Sequence, residues 1–309
     1  MRKLAGSLLI TLLLGCSQTA VQPPAPIGTP DIQALNGQQV ATYLNTLYGR
    51  QFPNCNKSDS RPAFLCSGVT LRVTVRDSAG QYKVWDPSPA SVKSGGVSYS
   101  YLRQDANFGR LAWGYGNGYI LYPLLEQPSG KLNLQVLCSY PMDAWTWNRS
   151  STSVCGPAPQ YPNVSRACHL AGVFTGEQAK TAWDASYENK NLRQCGFDVR
   201  DERNHLAGPA FYQSLRAKSL LGTTGFSEQN EIVIRTWAAG QANAMPIMAF
   251  FFIAGGTNAG LADAQYNQRD FYNSTNPKIV VPIIRLTPAA SAAAPASFTY
   301  SAADQAVAQ

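Results

Sequence analysis

Histidine is scarce in this 309-residue chain, which carries only His169 and His205. A hydrolase built on a Ser–His–Asp or Cys–His pair therefore has almost no choice of base. No G-x-S-x-G elbow occurs either. His169 stands beside Cys168 and His205 opens a helical stretch, so structural or surface roles are expected of both. No C-x-x-C spacing is present and only two histidines occur, so neither a zinc site nor another metal is expected. The glycine-rich "WGYGNGY" lacks the lysine and the following helix of a phosphate loop and reads as a turn. Charge is low as well, at 14% against about 25% in ordinary proteins. Lys and Arg never form a run, which argues against a nucleic-acid partner. No apolar run reaches the roughly 20 residues of a membrane span, and no internal repeat is visible.

What the chain does have is apolar and aromatic: 45% hydrophobic residues, with 15 Tyr, 12 Phe and 6 Trp. That composition suits a folded domain with a sizeable core, outside the cytoplasm, rather than a disordered chain. The start, "MRKLAGSLLITLLLGCS", has a basic end followed by an apolar run of signal-peptide length. Its "LLGC" resembles the lipobox of bacterial lipoproteins. The resemblance implies cleavage before Cys16 and lipidation of that residue; Ser17 after it implies the outer membrane in a Gram-negative cell. A plain signal-peptidase site fits less well, because Ala20 has Gln18 two positions before it. Loss of Arg2 and Lys3 would leave 23 basic against 18 acidic residues, a mildly basic +5. The expected division is a signal peptide over 1–15, a Pro-rich tether over 16–31, one domain over 32–287, and an Ala/Ser-rich disordered tail over 288–309.

Six further cysteines remain, and an even number in an exported chain implies disulfides. Six allow fifteen pairings. The short separations favour neighbours: Cys55–Cys66, Cys138–Cys155 and Cys168–Cys195. Each would close a loop worth on the order of 3 kcal/mol in the chain-entropy view.

Periodicity predicts an α+β domain with a mixed, mainly antiparallel sheet. Val40, Tyr43, Leu44 and Leu47 recur at helical spacing behind Asn36, a helix-capping residue. "VTLRVTVRD" and "GGVSYSYLR" alternate as half-buried strands, and "NGYILYP" and "LNLQVLC" continue the strand-rich first half. Thr175 and Gln178 have the spacing of a capping box. "GPAFYQSLRAKSLL" and "LADAQYNQRDFY" read as helices. "EIVIRTW" and "MPIMAFFFIAGG" read as strands, and so does "KIVVPIIRL", whose Pro282 places it near an edge.

The stretch "TTGFSEQNEIVIRTW" (223–237) carries the chemistry. Gln229 and Glu231 stand two apart at the mouth of a strand, where they should share one side. A soluble, exposed strand end would tolerate the same residues. This loop-then-strand resembles that of the ADP-ribosyltransferases, which combine an Arg on one strand, a Ser/Thr pair on a second and Gln/Glu-x-Glu on a third. Beyond the tripeptide, "RPAFLCSGVTLR", "WDPSPAS", "GGVSYSYLRQDANFGRL", "NGYILYP", "LQVLCSYP" and "QNEIVIRTW" occur in that order and look like the halovibrin family. Its members are exported bacterial proteins regarded as NAD glycohydrolases and first discussed as ADP-ribosyltransferases. The resemblance spans about 36–287. A lipobox departs from a freely secreted member and suggests anchoring or later release.

The resemblance implies an ADP-ribosyltransferase-like fold and cleavage of the nicotinamide–ribose bond, with NAD as substrate and no cofactor. By it Glu231 takes the catalytic carboxylate and Gln229 the position two before. Ser98 and Ser100 are the best Ser pair; "RSSTS" at 149–153 is the literal alternative in a Cys-flanked loop. For the Arg, Arg61, Arg72 and Arg103 compete as NAD-binding residues. Gln rather than Glu at 229 resembles transferases that do not modify Arg. A second reading is a non-enzymatic outer-membrane lipoprotein that binds glycan or a protein through an aromatic surface, with Trp145 and Trp147 of "MDAWTWN" as its feature. The oligomeric state is not legible, and a monomer is the default expectation.

Overall fold

A computed structural model describes residues 35–51, 54–56, 59–74, 91, 95–111, 115–123, 135–143, 155, 168, 172–178, 181, 195–198, 207–220, 226, 229–235, 247–256 and 258–308, apart from the side chains at 54, 56, 59–61, 135, 207, 258 and 259. The chain divides into two units, Met1–Pro30 and Asp31–Gln309, and every described residue lies in the second. Cys16 and the expected signal peptide and tether fall outside the described residues.

Helix α1 (Gly37–Gly49) begins where the sequence predicts. Asn36 accepts from the Gln39 backbone N–H, and the Gln39 side chain accepts from the Asn36 N–H, a reciprocal capping box. Val40, Leu44 and Leu47 are buried on one side of the helix. A two-stranded hairpin, β1 (Asn54–Asn56) and β2 (Asp59–Pro62), follows. Then come β3 (Val69–Thr74), β4 (Val97–Leu102), β5 (Asn117–Leu121) and β6 (Gln135–Tyr140), helix α2 (Ala207–Ser219), and β7 (Glu231–Arg235). The chain continues through β8 (Ile247–Ile253), helix α3 (Asn258–Ser274), β9 (Ile283–Thr287) and β10 (Ser297–Tyr300).

Among the described residues, eight of these strands form one sheet in the order β10-β9-β8-β5-β3-β4-β7-β6. All neighbours are antiparallel except β8 and β9. Those two are joined through α3, since a parallel pair needs a long crossover. The α+β class and the mixed, mainly antiparallel sheet are as the periodicity predicts.

Both faces of the sheet are covered, which sequence alternation alone had read as half-exposed. On one face Tyr99, Tyr119, Ile232 and Phe250 pack with Phe211 and Leu215 of α2 and Ala264 and Phe271 of α3. On the other, Leu71, Ile120, Phe251, Ile284 and Phe298 pack under α1. Thr70, on the polar side of the β3 alternation, is consequently 5% exposed. Each fully buried Phe or Ile contributes about 1.5–3 kcal/mol. Gly68, at φ +68°, turns the chain into β3; a Cβ there would stand 2.4 Å from the Tyr101 ring, so glycine is required on both counts.

The three disulfides pair as neighbours: Cys55–Cys66, Cys138–Cys155 and Cys168–Cys195. Cys138–Cys155 packs with Val233 of β7 and Tyr140 of β6. The Phe197 backbone, two residues after Cys195, exchanges hydrogen bonds with Ser139 of β6. Two bridges therefore brace β6 at the end of the sheet.

One expectation is corrected here. The segment after 288 is not a disordered tail: β10 pairs with β9 from Ser297↔Thr287 to Tyr300↔Ile284. Phe298 is 1% exposed, and the Asn45 side chain both donates to and accepts from its backbone. Within the Ala/Ser-rich stretch, Ala289 and Ala296 are buried and pack with α1 and β9. Pro282 is near an edge, as expected: it directly precedes β9, which lies one strand in from the end of the sheet, and its carbonyl accepts from Phe250 N–H.

A candidate active site where three strands meet

Strands β4 and β7 pair with Ser98 opposite Val233 and Tyr99 opposite Ile232. One more step of that register sets Ser100 opposite Glu231. The hydroxyls then reach diagonally, as side chains two positions off the direct pair can. Ser98 Oγ donates to Glu231 Oε1, and Ser100 Oγ donates to Gln229 Oε1 at 3.1 Å. The same offset, repeated, brings both serines to both members of the Gln-x-Glu. The structure thus joins Ser98, Ser100, Gln229 and Glu231, four residues 129 or more positions apart across the two motifs.

The middle residue of the tripeptide supports this register. Asn230 points to the opposite side and is fully buried. Its Oδ1 accepts from Tyr101 N–H at 2.7 Å and its Nδ2 donates to Tyr101 O at 2.6 Å. The amide stands in for one more backbone rung of the ladder. With Asn230 locked inward, Gln229 and Glu231 are both held outward.

Asp143 is the fifth member. Tyr140, the last residue of β6, pairs with Glu231, and the chain runs on past the start of β7. Asp143 N–H donates to Gln229 O at 3.1 Å, and Gln229 Nε2 donates to Asp143 Oδ2 at 3.3 Å. The sequence offered "MDAWTWN" as a feature for its tryptophans; the aspartate in it was passed over. No local pattern could have found it, because only the β6–β7 pairing brings it to Gln229.

Glu231 is 3% exposed, which corrects the expectation of an exposed strand end. The disulfide-braced β6 flanks it on one side and β4 on the other. Ser98, Gln229 and Asp143 are half-buried, so the cluster passes from a buried carboxylate to a solvent-facing rim.

The arginines separate. Arg72 pairs with Tyr119, which puts it on the face of Tyr99 and Tyr119, opposite to Ser98 and Glu231. The β3–β4 ladder ends at Leu71↔Ser100, and Arg72 Nη1 donates instead to the Ser98 carbonyl at 2.6 Å. It braces the strand that bears the serine rather than joining the carboxylate cluster. On that face the Tyr99 and Tyr119 hydroxyls lie 3.2 Å apart, and burial, reinforced by Tyr119, pushes the Tyr99 hydroxyl well above the usual phenol range.

Arg103 is fully buried and engaged. Its Nε and Nη2 reach the two Asp105 oxygens at 2.5 and 2.9 Å, and Nη1 donates to Ser67 Oγ at 3.1 Å. Tyr212 of α2 lies over its guanidinium at 4.2 Å and donates its own hydroxyl to Asp105 Oδ2. Burial, and then that bond to Asp105, push the Tyr212 hydroxyl up to about 12. Arg103 is therefore a joint between β4 and α2, which corrects its candidacy as an NAD-binding residue. A bidentate guanidinium with an aromatic roof is a favourable buried ion pair, but it presents no face to a ligand.

Arg61 lies on β2, in the two-stranded hairpin, and its side chain is outside the described residues. So are His169, His205, Trp145, Trp147 and the serines of 149–153. Among the described residues no group of three or more His, Cys, Asp or Glu could hold a metal ion, and no helix is long and apolar enough to cross a membrane. No family model matches the chain, and no curated protein matches it.

Proposed function

We propose that this chain is an exported enzyme that cleaves the nicotinamide–ribose bond of NAD. The observation that carries the reading is the contact of Ser98 with Glu231, with Gln229 two residues earlier on the same side. A buried carboxylate at the first residue of a strand, oriented by a neighbouring strand's hydroxyl, is preorganised for a cation that forms during reaction. Departure of nicotinamide supplies such a cation: the C1′–N bond breaks, its electron pair leaves with the ring nitrogen, and C1′ becomes oxocarbenium-like. Glu231 would stabilise that ribose through its 2′-hydroxyl. No histidine or metal is needed for this chemistry. The residue types and their order along the chain resemble the halovibrin family and the ADP-ribosyltransferases.

The pyrophosphate partner is then sought at Arg61, since Arg103 is committed to Asp105 and Ser67 and Arg72 lies on the opposite face of the sheet, bound to the Ser98 carbonyl. Lipidation at Cys16 and an outer-membrane site belong to the same proposal. Cys16→Ser should abolish partitioning into detergent; full partitioning of that variant would remove the anchor from the reading. The decisive experiment incubates the mature protein with NAD and measures free nicotinamide. Release that is lost in Glu231→Gln is the expected result. Absence of release from the wild-type protein would leave the glycan- or partner-binding lipoprotein as the better description.

A further inference from the structure

We infer that Asp143 is the base that takes the proton from the acceptor, and that the acceptor is water. The inference rests on the NAD-cleaving reading above and adds a residue and a fate for the ADP-ribosyl group. Three observations support it. Asp143 and Glu231 are carboxylates on either side of Gln229: one bonds its side chain, and the other follows it by two residues on the same side of the strand. An ionised carboxylate only accepts hydrogen bonds. Asp143 therefore fixes Nε2 of Gln229 toward itself and turns Oε1 toward Ser100, which must donate. The amide has one orientation instead of two. Finally, Asp143 is half-buried whereas Glu231 is 3% exposed, so of the two carboxylates Asp143 is the one that water reaches.

Two carboxylates in unlike settings suit two unlike tasks in glycosidic cleavage. Glu231, enclosed, stabilises the charge on the ribose. Asp143, at the rim, accepts a proton from water as the water oxygen bonds to C1′ and nicotinamide departs with the C1′–N electron pair. Asp143 then releases that proton to solvent, and the products are ADP-ribose, nicotinamide and a proton. A purely structural Asp143 would only tie the end of β6 to Gln229.

The experiment compares wild-type, Asp143→Asn and Glu231→Gln proteins as the whole mature chain. It measures nicotinamide release across pH, with and without azide, a nucleophile that has no proton to lose. Asp143→Asn keeps an oxygen facing Gln229 Nε2 and leaves the backbone bond to Gln229 O intact, so its melting temperature should match wild type. Its kcat should fall about 100-fold, the low end for loss of a general base, with KM for NAD changed less than 3-fold. The acid limb of its pH–rate profile should disappear, and azide should restore release while yielding the azido adduct of ADP-ribose. Azide should not rescue Glu231→Gln. An Asp143→Asn protein with wild-type kcat and pH profile, or one that azide does not rescue, overturns the role of Asp143 while the NAD reading stands on Glu231. A wild-type protein that releases no nicotinamide overturns both.

Discussion

Asn45 and Asn230 make the same pair of hydrogen bonds in two regions of different character. Each amide donates to the carbonyl and accepts from the N–H of a single residue, Phe298 for Asn45 and Tyr101 for Asn230. Asn45 lies on the exposed side of α1 and holds the edge strand β10 over an apolar face. Asn230 is fully buried, and it holds β7 against β4 where that same face of the sheet turns polar, at Ser98, Ser100 and Glu231. At the first position water can replace the amide. At the second it cannot, so the amide of Asn230 adds to the pairing that buried Ile232, Val233 and Ile234 already support. Strand placement at the apolar end is over-determined by Ile284, Leu286 and Phe298. At the polar end, where the face carries Ser and Glu instead, a dedicated amide supplements the apolar packing.

The largest effect should come from the charge that this arrangement presents. Glu231→Gln should lower nicotinamide release by at least roughly 100-fold, about 2.7 kcal/mol, the scale for one preorganised electrostatic partner. Its melting temperature should hold or rise, because removing a buried charge offsets a weakened bond to Ser98, as is common where activity opposes stability. A large drop in melting temperature would make Glu231 a structural residue.

Next comes Asn230→Ala. It strands the buried Tyr101 N–H and C=O, each at about 1–3 kcal/mol, and frees the strand mouth to slip. Denaturant unfolding should show a loss of at least about 2 kcal/mol, and activity per folded molecule should fall too. Asn45→Ala should cost only about 0.5–1 kcal/mol, the net value of a hydrogen bond that water can replace, with specific activity unchanged. Equal losses in the two variants would erase the contrast between the two regions.

The smallest effect concerns Tyr212, which roofs Arg103 at the end of β4. Its hydroxyl stays protonated in the fold up to about 12 but ionises near 10 when unfolded. The unfolded state therefore binds fewer protons between those values, and stability contributed by this group is intact below pH 10 and lost as pH rises toward 12. Chemical unfolding across that window should show wild type losing stability more steeply than Tyr212→Phe. Parallel slopes would show that the hydroxyl is not held as described.

Much of this was legible from residues alone. Asn36 announces the start of α1, Thr175 and Gln178 another capping box, and the apolar alternations most of the strands. The neighbour pairing of six cysteines followed from their separations. "PAASAAAPASFTY" is compositionally plain, although Phe298 and Tyr300 alternate within it; its order comes from pairing with the neighbouring β9 and from α1, which lies at the other end of the sequence. Arg103 looked available because a sequence shows a cation without its Asp105 and Tyr212.

The sequence by itself determined most of the elements, the favoured disulfide partners and the side on which Gln229 and Glu231 both fall, because capping, period-2 alternation and loop closure are local. Only the tertiary structure decided that Ser98 and Ser100, rather than any other serines, meet Gln229 and Glu231, that Asp143 joins them, and that Arg72 faces away. Those facts depend on which strands are neighbours and in what register, and a register is a property of two strands together that neither contains alone.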